Sequence, residues 1–189
     1  MLPIIISSIE NPQDRDLMTD FYLAYKGRMY AEAWKHLNIA EDVEDTVFEA
    51  LTRIIDKMEV FRTLQPNQRI VYAVTAVRNL CYIQLTRSSL HTMVSFDALE
   101  VERPQEDAVS LETMMERKLL NEQVRQVWSA LGVEERMLLE QKYILRWSDE
   151  ELAAILNIQP QSVRMRLTRA KRSVMKQLKS HGFDLTDWE

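Results

Sequence analysis

Only three glycines and five prolines occur in 189 residues, too few for the many tight turns that an all-β chain of this size requires. Leu, Ala, Glu, Met, Gln, Lys and Arg are plentiful instead, and these are strong helix formers, so the expected fold is all-α. The single cysteine, Cys81, has no second thiol to pair with, which excludes an intrachain disulfide and a cysteine-based zinc site and suits a reducing, cytoplasmic setting. The three histidines, His36, His91 and His181, lie far apart and share no helical ligand spacing; surface positions are expected for them, with no metal and no cofactor. The apolar run Leu2–Ile6 lacks a basic flank and is far shorter than the roughly 20 residues that span a bilayer, so neither secretion nor membrane insertion is expected. Neither a glycine-rich phosphate loop nor a nucleophile with a nearby base is present, and no enzymatic activity is expected.

A net charge of −5 argues at first against a nucleic-acid partner, but position outweighs the total. Residues 160–180 hold Arg164, Arg166, Arg169, Lys171, Arg172, Lys176 and Lys179 and no acid; this segment is therefore +7 and the remainder −12. A second acid-free window, Val60 to Phe96, carries Arg62, Arg69, Arg78 and Arg87. The stretch before it, Glu41 to Glu59, holds seven acids against Arg53 and Lys57. One part of the chain can meet phosphate while another repels it.

Apolar residues recur three or four apart from Asp14 to Leu37 (Leu17, Phe21, Ala24, Tyr25, Met29, Ala33, Trp34, Leu37), predicting an amphipathic helix with room for a bend at Gly27. A second helix is expected over Glu41 to Met58, with Val43, Val47, Ala50, Leu51, Ile54, Ile55 and Met58 as its stripe and Asp42, Asp45, Glu49 and Asp56 off it. After a break at Gln65-Pro66-Asn67, a third helix is predicted from Gln68 to Arg87. Residues 91–116 lose the period and are rich in acids, which marks a linker. The expected domains are 12–90, a linker over 91–116, and 117–181. In the second domain, helices over Leu119 to Ala130 and Val133 to Tyr143 flank Gly132, with Val124, Val127, Trp128, Leu131, Met137, Leu138 and Tyr143 as a shared core.

The last segment is the most specific. Ser148-Asp149-Glu150-Glu151 has the spacing of a capping box, so a helix starts there. Leu152, Ala153, Ile155 and Leu156 supply its buried face, Asn157 can end it in the left-handed conformation, and Pro160 suits the first turn of the next helix. In that helix Val163, Leu167, Ala170 and Val174 face inward, leaving Gln161, Ser162, Arg164, Met165, Arg166, Thr168, Arg169 and Arg172 outward or on the flanks. Such a second helix enters the DNA major groove, where Arg pairs with guanine edges and Gln with adenine while flanking cations hold phosphate. A basic amphipathic helix solvated in a bundle is the plainer alternative.

From Trp147 to Lys171 the residues resemble region 4 of the extracytoplasmic-function (ECF) group of RNA polymerase sigma factors, with its Ser-x-Glu-Glu-x-Ala start and its Val-x-x-Arg-Leu-x-Arg-Ala recognition helix. The first domain resembles region 2 of the same family. Tyr25 to Trp34 is similar to its opening helix, Asp42-Val43-Glu44-Asp45-Thr46-Val47-Phe48-Glu49 to its acidic polymerase-binding segment, and Arg78-Asn79-Leu80 to its promoter-melting helix. The resemblance implies a cytoplasmic transcription initiation factor whose partners are core RNA polymerase and promoter DNA, with an anti-sigma protein as a further candidate. It implies polymerase binding by Asp42, Asp45, Thr46, Glu49 and Arg53, and reading of a minus-35 element by the outward residues from Gln161 to Arg172. It further implies contact with a minus-10 element by Arg62, Asn67, Arg69, Tyr72, Arg78, Asn79, Tyr82 and Arg87. Arginines can follow a strand's phosphates and tyrosines can stack on unpaired bases, although a tyrosine among so many apolar neighbours also suits a core.

Several positions depart from the family. Phe48 stands where Gln is usual, Tyr72 where Trp is usual, Arg69 where an aromatic is usual, and Ile83-Gln84 where an Asp-Arg pair is usual. Two other readings fit parts of the pattern: a dimeric helix-turn-helix regulator with a palindromic operator, and a sigma-like adaptor that binds polymerase without promoter activity.

Overall fold

The computed structural model describes residues 2–87 and 122–183, and every regular element among them is helical. The chain divides into two compact units, Met1–Val94 and Ser95–Glu189. The linker expected over 91–116 lies outside the described residues, as does His91.

The first unit contains α1 (Ile4–Ser7), α2 (Pro12–Trp34), α3 (Ala40–Asp56), α4 (Met58–Thr63) and α5 (Pro66–Arg87). Helix α2 begins earlier than its apolar period suggests because Asn11 caps it: Asn11 Oδ1 accepts from the backbone N–H groups of Gln13 (2.9 Å) and Asp14 (3.3 Å), and Pro12 occupies the first helical position. It runs unbroken through Gly27. Its buried face is Met18, Phe21, Tyr22, Met29 and Ala33, whereas Ala24 and Trp34, expected on that stripe, are exposed. On a 3.6-residue period, Trp34 falls one position off the row that the others form. Helix α3 buries Val43, Val47, Ala50, Leu51 and Ile54 as its spacing predicts, with Thr46 added. Helix α4, unanticipated by periodicity, drops Phe61 into the core, where its ring meets Phe21 edge-on at 5.0 Å and Tyr72 at 6.0 Å.

Helix α5 differs most from its sequence pattern. It packs against both α2 and α3, and every side chain from Tyr72 to Cys81 is buried, where one wide apolar face was expected. A helix covered all round must bury whatever polar residues it carries, here Thr75, Arg78 and Asn79. Glu32 of α2 is a buried carboxylate that accepts from Lys35 Nζ (2.8 Å), lies 3.5 Å from His36 Nε2 and feels the positive charge of Arg78. The His36 ring, expected at the surface, is thus an interior group. Burial pushes the Cys81 thiol up to about 12.

The second unit contains α6 (helical over 122–129), α7 (Val133–Leu139), a π-helical turn (Glu140–Ile144), α8 (Asp149–Leu156) and α9 (Pro160–Ser180). Glu135 accepts from the Gly132 N–H (3.1 Å) and secures the start of α7. Leu131, Leu139 and Ala170 form a core cluster against which Trp128 and Val174 pack. Val124 and Tyr143, both expected in that core, are exposed. The π turn widens the helix by one residue, so the phase that would carry Tyr143 inward from α7 is lost. No helix among the described residues is long and apolar enough to cross a membrane.

Candidate nucleic-acid interface

Two short-range devices set α8 against α9. Ser148 Oγ accepts from the Glu151 N–H (3.1 Å) while Glu151 Oε2 accepts from the Ser148 N–H (2.6 Å), closing both sides of a capping box. At the other end Asn157 takes φ 51°, ψ 47°, and the N–H groups of Ile158 and Asn157 donate back to the carbonyls of Ala153 (3.0 Å) and Ala154 (3.4 Å). This closure satisfies the last carbonyls and turns the chain sharply. Pro160 then opens α9.

Val163, Leu167 and Ala170 are buried beneath α9. Gln161, Arg164, Met165, Thr168, Arg169 and Arg172 are exposed, with Ser162 and Arg166 at the margins. A methionine left 57% exposed amid arginines is an apolar spot on a cationic surface, suited to a thymine methyl.

The cations of α9 fall into two groups. Arg164 Nε donates to Asp149 Oδ2 at 2.9 Å, Arg166 pairs with Glu134, and Lys171 Nζ sits 5.3 Å from the centroid of the Tyr143 ring. The Arg169 and Arg172 side chains make no hydrogen bond or ion pair among the described residues. The acids that engage Arg164 and Arg166 lie 15 and 32 residues upstream, so no local pattern could reveal them. Thr168 Oγ1 donates to the Arg164 carbonyl (2.9 Å), which holds its hydroxyl against the helix.

In the first unit, Asp45 and Glu49 of α3 are exposed and Asp42 is half-buried. Phe48, 41% exposed, lies among them. Glu49 Oε1 accepts from Arg53 Nη2 (2.5 Å) and Nε (3.1 Å), so that arginine tempers the acidity of its own face. Thr46 is not on this face: it is buried and donates to Gln84 Oε1 of α5 at 3.0 Å.

The residues assembled in sequence as a minus-10 set do not share a surface. Tyr72, Arg78 and Asn79 are interior side chains. Arg62 forks onto Asp14 (Nε–Oδ1 2.7 Å, Nη2–Oδ2 2.8 Å). Arg69 donates to the carbonyls of Phe61 (3.2 Å) and Arg62 (3.1 Å), closing the end of α4. Asn67 and Tyr82 are partly exposed, and the Arg87 side chain lies outside the described residues. Gln65 and Gln68 form a helix start, the Gln65 N–H donating to Gln68 Oε1 (2.9 Å). Among the described residues no group of His, Cys, Asp and Glu could hold a metal ion. The chain matches no model of a known protein family and no curated protein.

Proposed function

We propose that this chain is a transcription initiation factor of the sigma type, which binds core RNA polymerase through α3 and reads promoter DNA with α9. The observation that carries the reading is the seating of α9. A capped helix, a left-handed turn and a proline-started helix present six exposed polar, cationic and sulfur-bearing side chains over a buried Val163–Leu167–Ala170 row, the layout by which a helix offers its N-terminal half to the major groove. The exposed Asp45 and Glu49 support a basic docking partner for α3.

The test is co-purification of the full chain with core polymerase, followed by run-off transcription from a promoter library. Stable association and specific start sites are expected. A chain that ignores polymerase but binds a palindromic site as a dimer would be a helix-turn-helix regulator instead. A second reading draws on the burial of Tyr72, Arg78 and Asn79: an adaptor that joins polymerase and contacts DNA through α9 but does not open it. Association without any run-off product would select that reading.

A further inference from the structure

Asp149 lies at the first position of α8, its side chain 16% exposed, and its two carboxylate oxygens serve two cations. Oδ1 accepts from Lys142 Nζ of the π turn at 2.6 Å, and Oδ2 accepts from Arg164 Nε at 2.9 Å. The Arg164 side chain is itself 75% exposed, and among the described residues its Nη groups make no hydrogen bond. The guanidinium is therefore fixed along its Nε edge, while the edge formed by Nη1 and Nη2 points away from its holder. That free edge is the pair of donors that matches O6 and N7 of guanine. Helix capping does not require Asp149, because Ser148 and Glu151 already close that helix start.

We propose that Asp149 is a positioning residue that aims Arg164 at a guanine edge in the DNA bound by α9. This rests on α9 being the DNA-reading helix. A free arginine loses side-chain entropy when it is ordered against a base; one already tied to a carboxylate has lost most of it. Lys142 completes the device. A lone carboxylate would cancel the Arg164 charge and repel phosphate, but Lys142 offsets it, so the triad keeps one net positive charge. The same two cations, Lys142 foremost, hold the Asp149 carboxyl below its ordinary range. Arg166, tied to Glu134 of α7, is at the margin of the exposed face rather than on it.

The experiment is selection of duplexes from a randomised DNA pool by the full chain, alone and with core RNA polymerase, comparing the parent, D149N, R164A and the double variant. The parent should select sites containing one guanine that R164A no longer prefers. D149N should lower preference for that guanine by about fivefold or more, while binding to unselected DNA strengthens and its salt dependence steepens by up to about one unit, because a negative charge has gone. A merely structural role would weaken both. The double variant should select as R164A does. Should D149N fold poorly, carbon-13 NMR titration of the Asp149 carboxyl decides, since R164A raises that pKa above the parent's only if the pair forms in solution. No selection by the parent in either setting would remove the DNA-reading role of α9 and this inference together. Selection by the parent with an unchanged D149N profile, losses that add in the double variant, or an unmoved Asp149 titration would overturn the positioning role alone.

Discussion

Glu32 of α2 is buried beside Lys35 and His36, and the positive charge of Arg78 acts on it. Burial alone would raise its carboxyl; the His36 ring beside it, the hydrogen bond from Lys35 and the charges of Lys35 and Arg78 outweigh that and bring it from 4.5 down to about 2. The folded value lies below the unfolded one, so the stabilisation is present above pH 4.5 and is lost as the pH falls from there toward 2. Its full size is about 3 kcal/mol. Urea melts of the parent should lose about 2 kcal/mol of this between pH 5 and pH 3, in excess of the loss in E32Q. E32Q should also be weaker at neutral pH, because it removes the carboxylate on which the Lys35 hydrogen bond and the positive charge of Arg78 act. Parallel stability curves for parent and variant over this range would show that the cluster is solvated in solution.

At the scale of elements, what the sequence made legible was what depends on residues three or four apart. The α8 cap, the Asn157 turn, Pro160 and the inward row of α9 are all local, and each stands where its pattern puts it. The interior of α3 follows its spacing too. What escaped was decided at long range: α5 is covered on all sides because α2 and α3 both pack on it, and this turns Tyr72, Arg78 and Asn79 from candidate DNA contacts into interior groups. Thr46 was drawn inward by Gln84, 38 residues away. The short α4 and the π turn were missed because six and five residues are too few to display a period. The two faces of α9 lead to opposite expectations. Leu167→Asp forces a charge into the buried row and should cost about 4 kcal/mol or more, melting the second unit. R169A and R172A should change stability by no more than about 0.5 kcal/mol each, while each lowers the slope of log affinity against log salt by about one unit. Circular dichroism with a salt series of DNA binding separates the cases; an unchanged slope in both arginine variants would take phosphate contact away from this face.

For the whole molecule, the pI of about 5.4 conceals a chain whose charges are sorted by element. Seven cations and no acid lie within residues 160–180, and the exposed face of α3 is acidic. Neighbouring acids already engage Arg164 through its Nε and Arg166 through its Nη1, so phosphate contact falls mainly to Arg169, Arg172, Lys176 and Lys179. An acidic surface such as α3 is repelled by DNA and attracts a basic protein. If the two surfaces serve two partners, they can be disabled one at a time. Reversing Asp45 and Glu49 to Lys should abolish association with core polymerase, leave helicity intact and preserve DNA binding by α9, since neither acid contributes to the core. The R169A/R172A pair should do the reverse, keeping polymerase and losing promoter DNA at physiological salt. Run-off transcription needs both partners and should fail in each variant, with pull-down on polymerase and binding to promoter DNA showing which step was lost. Polymerase binding by the charge-reversed chain at moderate salt would remove the docking role of α3, and loss of both partners in one variant would mean that a single surface serves them.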